Sequence, residues 1–368
     1  MSGIRLEKIC KSFPGSILAV NDLSMDIHDK ELLVLAGPSG CGKSTLMRLI
    51  AGLEEPSDGN IYIDEQLSNH IEPTEMNIAI INQKFTLYPH MNVSGNLELG
   101  LRYRKLNGKQ IKERVIDIAR ILDIGNLLNK NPKSLDIYER QRVAFAKAAV
   151  KFPKALLVEQ LNNEYDENTK KRLYDEIVEL YKKLQVTTVL AIDSEIMPII
   201  GAGYRTAIMN RGLIEQIGIY DDLYNKPVNT FVAGYIGRGY TTFISVKVYE
   251  NEQNIYLDTN TNKLILNREK AEILKRGNYI GKEIVLGLRP ENISICDQLE
   301  NMNVLEVEVV NIEAAEQETF LNLTCDNLNL FIRTSEASNY EVGDNIRVII
   351  NTKDALLFDK LTGQIIRE

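Results

Sequence analysis

Polar and apolar positions divide the chain into three kinds of segment. In the first 60 residues "LSMDIHD" alternates with a period of two, as a half-buried strand does, and "ELLVLAG" is a short continuous apolar run ending in glycine. The runs "NIAII", "KALLVEQ" and "TTVLAID" have the same length and apolar character, which predicts strands buried on both faces. "DENTKKRLYDEIVELYKKLQ" instead places Leu173, Ile177, Leu180 and Leu184 on one helical face. Strands separated by helices predict an α/β domain with a mostly parallel sheet. From Leu87 to Phe152 the pattern is almost purely helical, a helical insert over about 87–152 within that domain. Near Tyr235 the character changes: "GYIGRGYTTFISVKVYE" opens a region of short alternating strands broken by Gly, Asn and Asp. The expected division is 1–235 for the α/β domain and 236–368 for a β-rich domain of small OB-like barrels.

Composition narrows the function classes. The 368 residues suffice for one large domain and one or two small ones, and an apolar content of 44% is ordinary for a packed core. The 51 acids and 43 bases, for a net charge of −8, are spread without long blocks, so nucleic acid is not an expected partner. Cys10, Cys41, Cys296 and Cys325 stand far apart without metal-ligand spacing, which fits a reducing cytosol rather than disulfides or zinc. No apolar run approaches the roughly 18 residues of a membrane helix, and the N-terminal residues lack the apolar core of a secretion signal. Work at a membrane would require another protein to hold the chain there.

The strongest chemical signal is "GPSGCGKST", from Gly37 through Pro38, Ser39, Gly40, Cys41, Gly42, Lys43 and Ser44 to Thr45. It follows an apolar strand and precedes the helical "LMRLIAGL", the context that gives a glycine-rich phosphate loop its meaning. Glycines let successive backbone N–H groups turn inward around phosphate oxygens, the helix N-terminus adds positive dipole, and Lys43 brings a cation to the outer phosphates. Ser44 supplies a hydroxyl for Mg²⁺.

With that loop, "INQKFTLYPHMNV", "RQRVAFAKAAVKFPKALLV", "FVAGYIG" and "GLRPENI" resemble, over nearly the whole chain, the ATP-binding subunits of ABC importers of the maltose and glycerol-phosphate type. The resemblance implies ATP and Mg²⁺ as cofactors and a peripheral position on the cytoplasmic face of the cell membrane. It implies adenine stacking on Phe13 and a Q-loop with Gln83, so that Ser44, Gln83 and Glu159 become the candidate Mg²⁺ ligands. It also implies contact with permease subunits through Tyr88, Pro89 and His90.

Against the family pattern, the catalytic positions are changed. Hydrolysis in the family uses a Walker B aspartate for hydrated Mg²⁺, a following glutamate as general base, a switch histidine at the γ-phosphate, and an LSGGQ signature from a facing subunit. Here the strand ends in Glu159 and Gln160, so the base position holds an amide. An amide cannot accept the proton of attacking water, a loss on the order of 10² to 10⁴ in rate. Glu159 keeps the carboxylate on a longer arm, although Mg²⁺ demands near-ideal octahedral geometry. Asp193 and Ser194 stand where the family has histidine and an acid, and a carboxylate beside the γ-phosphate is repelled by about 4 kcal/mol per charge pair at 4 Å in an effective dielectric near 20. The signature becomes Asp136, Ile137, Tyr138 and Glu139. Ile137 and Tyr138 obstruct close backbone approach to a phosphate, and the two acids oppose its charge. Asp136 and Glu139 also have the spacing of a capping box, so these residues read first of all as an ordinary helix start.

Because the phosphate loop, Gln83 and the hydrophobic frame are intact, the pattern favours a subunit that binds nucleotide without cleaving it. No catalytic residue is intact. The expected role is the non-catalytic or regulatory half of a heterodimeric importer ATPase, partnered by a catalytically intact paralogue and serving carbohydrate uptake. Two alternatives stand beside it: an ordinary hydrolysing importer ATPase that tolerates its substitutions, and a soluble nucleotide-binding adaptor without a permease.

Overall fold

The computed structural model describes residues 3–15, 17–102, 106–161, 164–192, 203–237, 239–251, 254–259, 261–296, 303–315, 318–325, 328–334 and 340–367. The chain forms two compact units, Met1–Asp221 and Asp222–Glu368.

The first unit is built on two sheets. Strands β1 (Ile4–Phe13), β2 (Ile17–Ile27), β4 (Asp58–Ile63) and β5 (Gln66–Leu67) form an antiparallel sheet in the order β2-β1-β4-β5. Strands β3 (Leu32–Ala36), β6 (Ile78–Ile81), β7 (Ala155–Val158), β8 (Thr187–Ile192), β9 (Thr206–Asn210) and β10 (Leu213–Gly218) form the second, in the order β10-β9-β3-β8-β7-β6. All its pairings are parallel except the β9–β10 hairpin. Every residue of β3, β7 and β8 is buried, so these strands read as continuous apolar runs because both faces are covered. Helix α1 (Lys43–Ile50) follows β3 through the glycine loop and buries Leu46, Met47, Leu49 and Ile50. The short helix α2 (Pro73–Met76) precedes β6, and between β6 and β7 lie α3 (Val93–Leu99), α4 (Gly108–Ile121) and α5 (Ile137–Ala149), the expected helical insert. Helix α6 (Glu167–Leu184) is started by the side chain of Asp166 and buries Leu173, Ile177 and Leu180, while Leu184 is half-buried.

The second unit contains two five-stranded antiparallel sheets over a shared core that includes Val246, Leu257, Leu286, Leu323, Ile332 and Val348. Its boundary lies earlier than the change of composition near residue 236. The helix Thr230–Ile236 and all but the first-turn residues Tyr220 and Asp221 of the helix Tyr220–Asn225 fall in this unit, where a buried arginine ties them. Arg289 donates to the carbonyls of Ala233 (3.1 Å) and Tyr224 (3.0 Å) and to the Thr241 hydroxyl (2.8 Å), with its guanidinium 3.8 Å from the centre of the Tyr224 ring. Ala233 also packs with Leu356 and Phe358. The phrase "GLRPENI" thus has a structural role as well as a family resemblance.

Candidate functional site

Strand β3 ends at Ala36, and the loop beyond it turns because of its glycines. Gly40 and Gly42 have φ of +78° and +113°, in the left-handed region that side chains disfavour. A Cβ at Gly37 would collide with the Met209 carbonyl and Cys41 Sγ, and one at Gly42 with the Ala19 carbonyl. Glycine is therefore needed for both conformation and close approach. Gly42 then precedes the first turn of α1. Lys43 is 5% exposed, and its Nζ donates to the carbonyls of Gly37 (2.6 Å) and Pro38 (3.1 Å), so the cation is held inside the loop. Burial pushes the Cys41 thiol up, with Lys43 pulling the other way.

The loop lines an open cleft of about 530 Å³. Strands β6 and β7 supply one side of it. Ile81 pairs with Val158, and Glu159 N–H donates to the Ile81 carbonyl at 2.9 Å, so Gln83 and Gln160 emerge side by side an equal distance beyond neighbouring strands. Ser44, Gln83, Glu159 and Gln160 all line the cleft, and Glu159 is the only acid among its described lining residues. Among the described residues no cluster of three His, Cys, Asp or Glu side chains is gathered for a metal. One carboxylate beside a hydroxyl and an amide suits Mg²⁺, which keeps waters and binds through one or two carboxylates plus phosphates. The backbone cradle, Lys43 and this donor set fit Mg-ATP.

The remaining expected positions divide. Phe13 stands at the end of β1 with Lys11 Nζ 5.1 Å from its ring centre, and it does not line the cleft, where Leu18 and Ala19 of β2 do. Asp193 and Ser194 lie outside the described residues. Asp136 caps α5: its carboxylate accepts from Glu139 N–H at 2.8 Å, and Glu139 Oε2 accepts from Asp136 N–H at 3.3 Å. Glu139 also meets Lys130 at 2.8 Å, and Tyr138 lies under the Arg172 guanidinium at 4.5 Å. Ile137 opens the helix half-buried. All four side chains are thus placed by their own fold.

Tyr88, Pro89 and His90 are exposed on the loop after β6. Two residues not singled out from sequence shape that loop. Asn96 is fully buried, accepting from Tyr88 N–H at 2.7 Å and donating to the Tyr88 carbonyl at 3.0 Å. Lys147 of α5 donates to the Thr86 carbonyl at 3.2 Å, with Nζ 4.0 Å from the Tyr88 ring centre. Arg211 and Gly212, outside every motif of the sequence, also line the phosphate cleft. The available signal was the tight-turn stretch "NRG" between two apolar runs.

A family model described as ABC transporter matches residues 20–160. The chain is 34% identical to the trehalose/maltose import ATP-binding protein MalK of Thermococcus litoralis, with 100% of both chains covered. It is 36% identical to the sn-glycerol-3-phosphate import ATP-binding protein UgpC of Psychromonas ingrahamii, covering 99% of this chain and 95% of that one. The solved structure of cbiO1 from Clostridium perfringens, part of an ABC transporter complex, superposes with a TM-score of 0.55 at 23% identity, covering 64% of this chain and 92% of that one, which bears on the fold alone. With a phosphate cradle in the matching fold and relatives aligned from end to end, the chain belongs to the ABC transporter family, among the ATP-binding subunits of the maltose and glycerol-phosphate importer type.

Proposed function

We propose that this chain binds Mg-ATP with impaired or absent hydrolysis, as the non-catalytic or regulatory half of a heterodimeric importer ATPase serving carbohydrate uptake. The observation that carries this reading is Gln160 beside Gln83 at the cleft, with Glu159 as the sole described acid lining it. Lys43 and the loop amides would bind phosphate, Ser44, Gln83 and Glu159 would hold the metal, and Gln160 can hydrogen-bond a water without taking its proton. When bound there, Mg²⁺ would supply positive charge to offset that of the phosphates. The positions that face a neighbouring subunit in the family hold the capping box of α5 in place of glycine amides, so a catalytically intact paralogue facing this chain would meet side chains its nucleotide cannot approach closely.

The maltose and glycerol-phosphate relatives support a carbohydrate or polyol-phosphate cargo. Among the described residues no helix is long and apolar enough to cross a membrane, so permease subunits, contacted through Tyr88, Pro89 and His90, would hold the chain at the cytoplasmic face. The test is direct. Purified full-length chain is titrated with labelled ATP and assayed for phosphate release, then co-purified from its source with associated subunits. Saturable Mg-dependent binding without turnover, together with recovery of a second ATPase subunit, is expected. Robust phosphate release by the isolated chain, or a complex holding only copies of this chain, overturns the proposal.

A further inference from the structure

The turn joining β9 to β10 reaches the phosphate cleft from outside any motif. Asn210 pairs with Leu213, leaving Arg211 and Gly212 as a two-residue loop with φ of +46° and +83°. Such type I′ loops favour Asn, Asp or Gly at the first position, because an L side chain is crowded when φ is positive. An arginine there runs against the backbone preference. The turn is tied to the phosphate loop as well: Gly212 N–H donates to the Cys41 carbonyl at 2.8 Å, and its carbonyl accepts from Asn21 N–H at 2.9 Å. Arg211 lines the same cleft as Lys43 and Ser44, and its side chain is exposed. Among the described residues no hydrogen bond or ion pair engages its guanidinium.

Sheet order decides which part of a nucleotide this cation would meet. The phosphate loop leaves β3, with β9 and β10 on one side of that strand and β8, β7 and β6 on the other. Glu159, the candidate metal carboxylate, follows β7, so a metal held there, and the outer phosphates with it, would lie on the β7 side. Arg211 comes from the opposite side, and the adjoining Gly212 lies close to Ala19, whose carbonyl would be 3.1 Å from a Cβ on it. We infer that Arg211 is a nucleotide-binding residue that grips the α-phosphate. Its planar fork suits a phosphate oxygen pair, and it strengthens binding without approaching the bond that hydrolysis would break. This inference rests on the nucleotide-binding reading above.

Arg211→Asn provides the test, because asparagine is a residue the turn prefers. In full-length protein this variant keeps or raises the unfolding temperature measured without nucleotide. Affinity for ATP and for ADP falls by the same factor, about tenfold, as expected for one lost charge-assisted contact. Arg211→Lys recovers part of the loss. Unchanged affinity overturns the inference, and so does a loss confined to ATP, which would place the guanidinium at the γ-phosphate. If the unsubstituted protein binds neither nucleotide, the nucleotide-binding reading itself fails, an outcome distinct from failure of the Arg211 contact.

Discussion

Glu159 and Gln160 differ from an Asp–Glu pair by one methylene and by an amide in place of a carboxylate, and in the proposed function those changes would separate metal binding from water activation. Glu159→Gln removes the only acid among the described residues lining the cleft. In that variant the gain in ATP affinity on adding Mg²⁺ should fall by about tenfold, while affinity in EDTA stays unchanged, as measured by paired titrations. Lys147 gives a pH prediction. Burial, helped by Lys151, holds its ammonium below the usual lysine range. Between that lowered folded value and the higher unfolded one, the unfolded chain binds more protons, so stability rises with pH across this window. Lys147→Met should flatten the rise, seen as a smaller spread of urea midpoints across buffers approaching the ordinary lysine range from below. At this scale the phosphate loop was legible in sequence because its conformation follows from its own glycines. Arg211, Leu18 and Ala19 were not, since only folding brings their distant segments to the same cleft.

Helix α5 shows one stretch of sequence under two demands. Asp136 and Glu139 form a reciprocal cap that satisfies backbone donors at the start of α5. Asp136→Ala should therefore destabilise the first unit by about 1 kcal/mol, read from the denaturation midpoint. Helix α6 depends on packing more than on its cap. Leu173 is fully buried and its carbonyl accepts from Gln141 Nε2 of α5 at 2.9 Å. Leu173→Ala should cost about 2–5 kcal/mol through lost burial and a residual cavity. The capping box and the apolar stripe of α6 were both readable beforehand, because each depends on spacing within one helix. That Gln141 would cross from one helix to the next was not, because nothing local to α5 specifies its neighbour.

For the whole molecule, the division at Asp221/Asp222 has a consequence. The second unit has its own core, and Arg289 binds the carbonyls of Tyr224 and Ala233 within it. A fragment covering 222–368 should fold alone with one cooperative thermal transition, whereas a fragment starting at 236 lacks both backbone carbonyls that Arg289 binds and should unfold at lower temperature or aggregate. Calorimetry of the two fragments checks this.

The sequence by itself determined the phosphate loop, the alternation of strand and helix, the helical insert and the changed residues at the catalytic positions. Each of these is written in spacing or in side-chain chemistry that acts within a few residues. Tertiary structure alone decided that Gln83 and Gln160 stand level across adjoining strands, that a hairpin turn contributes Arg211 to the cleft, and that two helices belong with the β-rich unit. Those outcomes depend on strand register, sheet order and one buried arginine, which join parts of the chain that no local pattern relates.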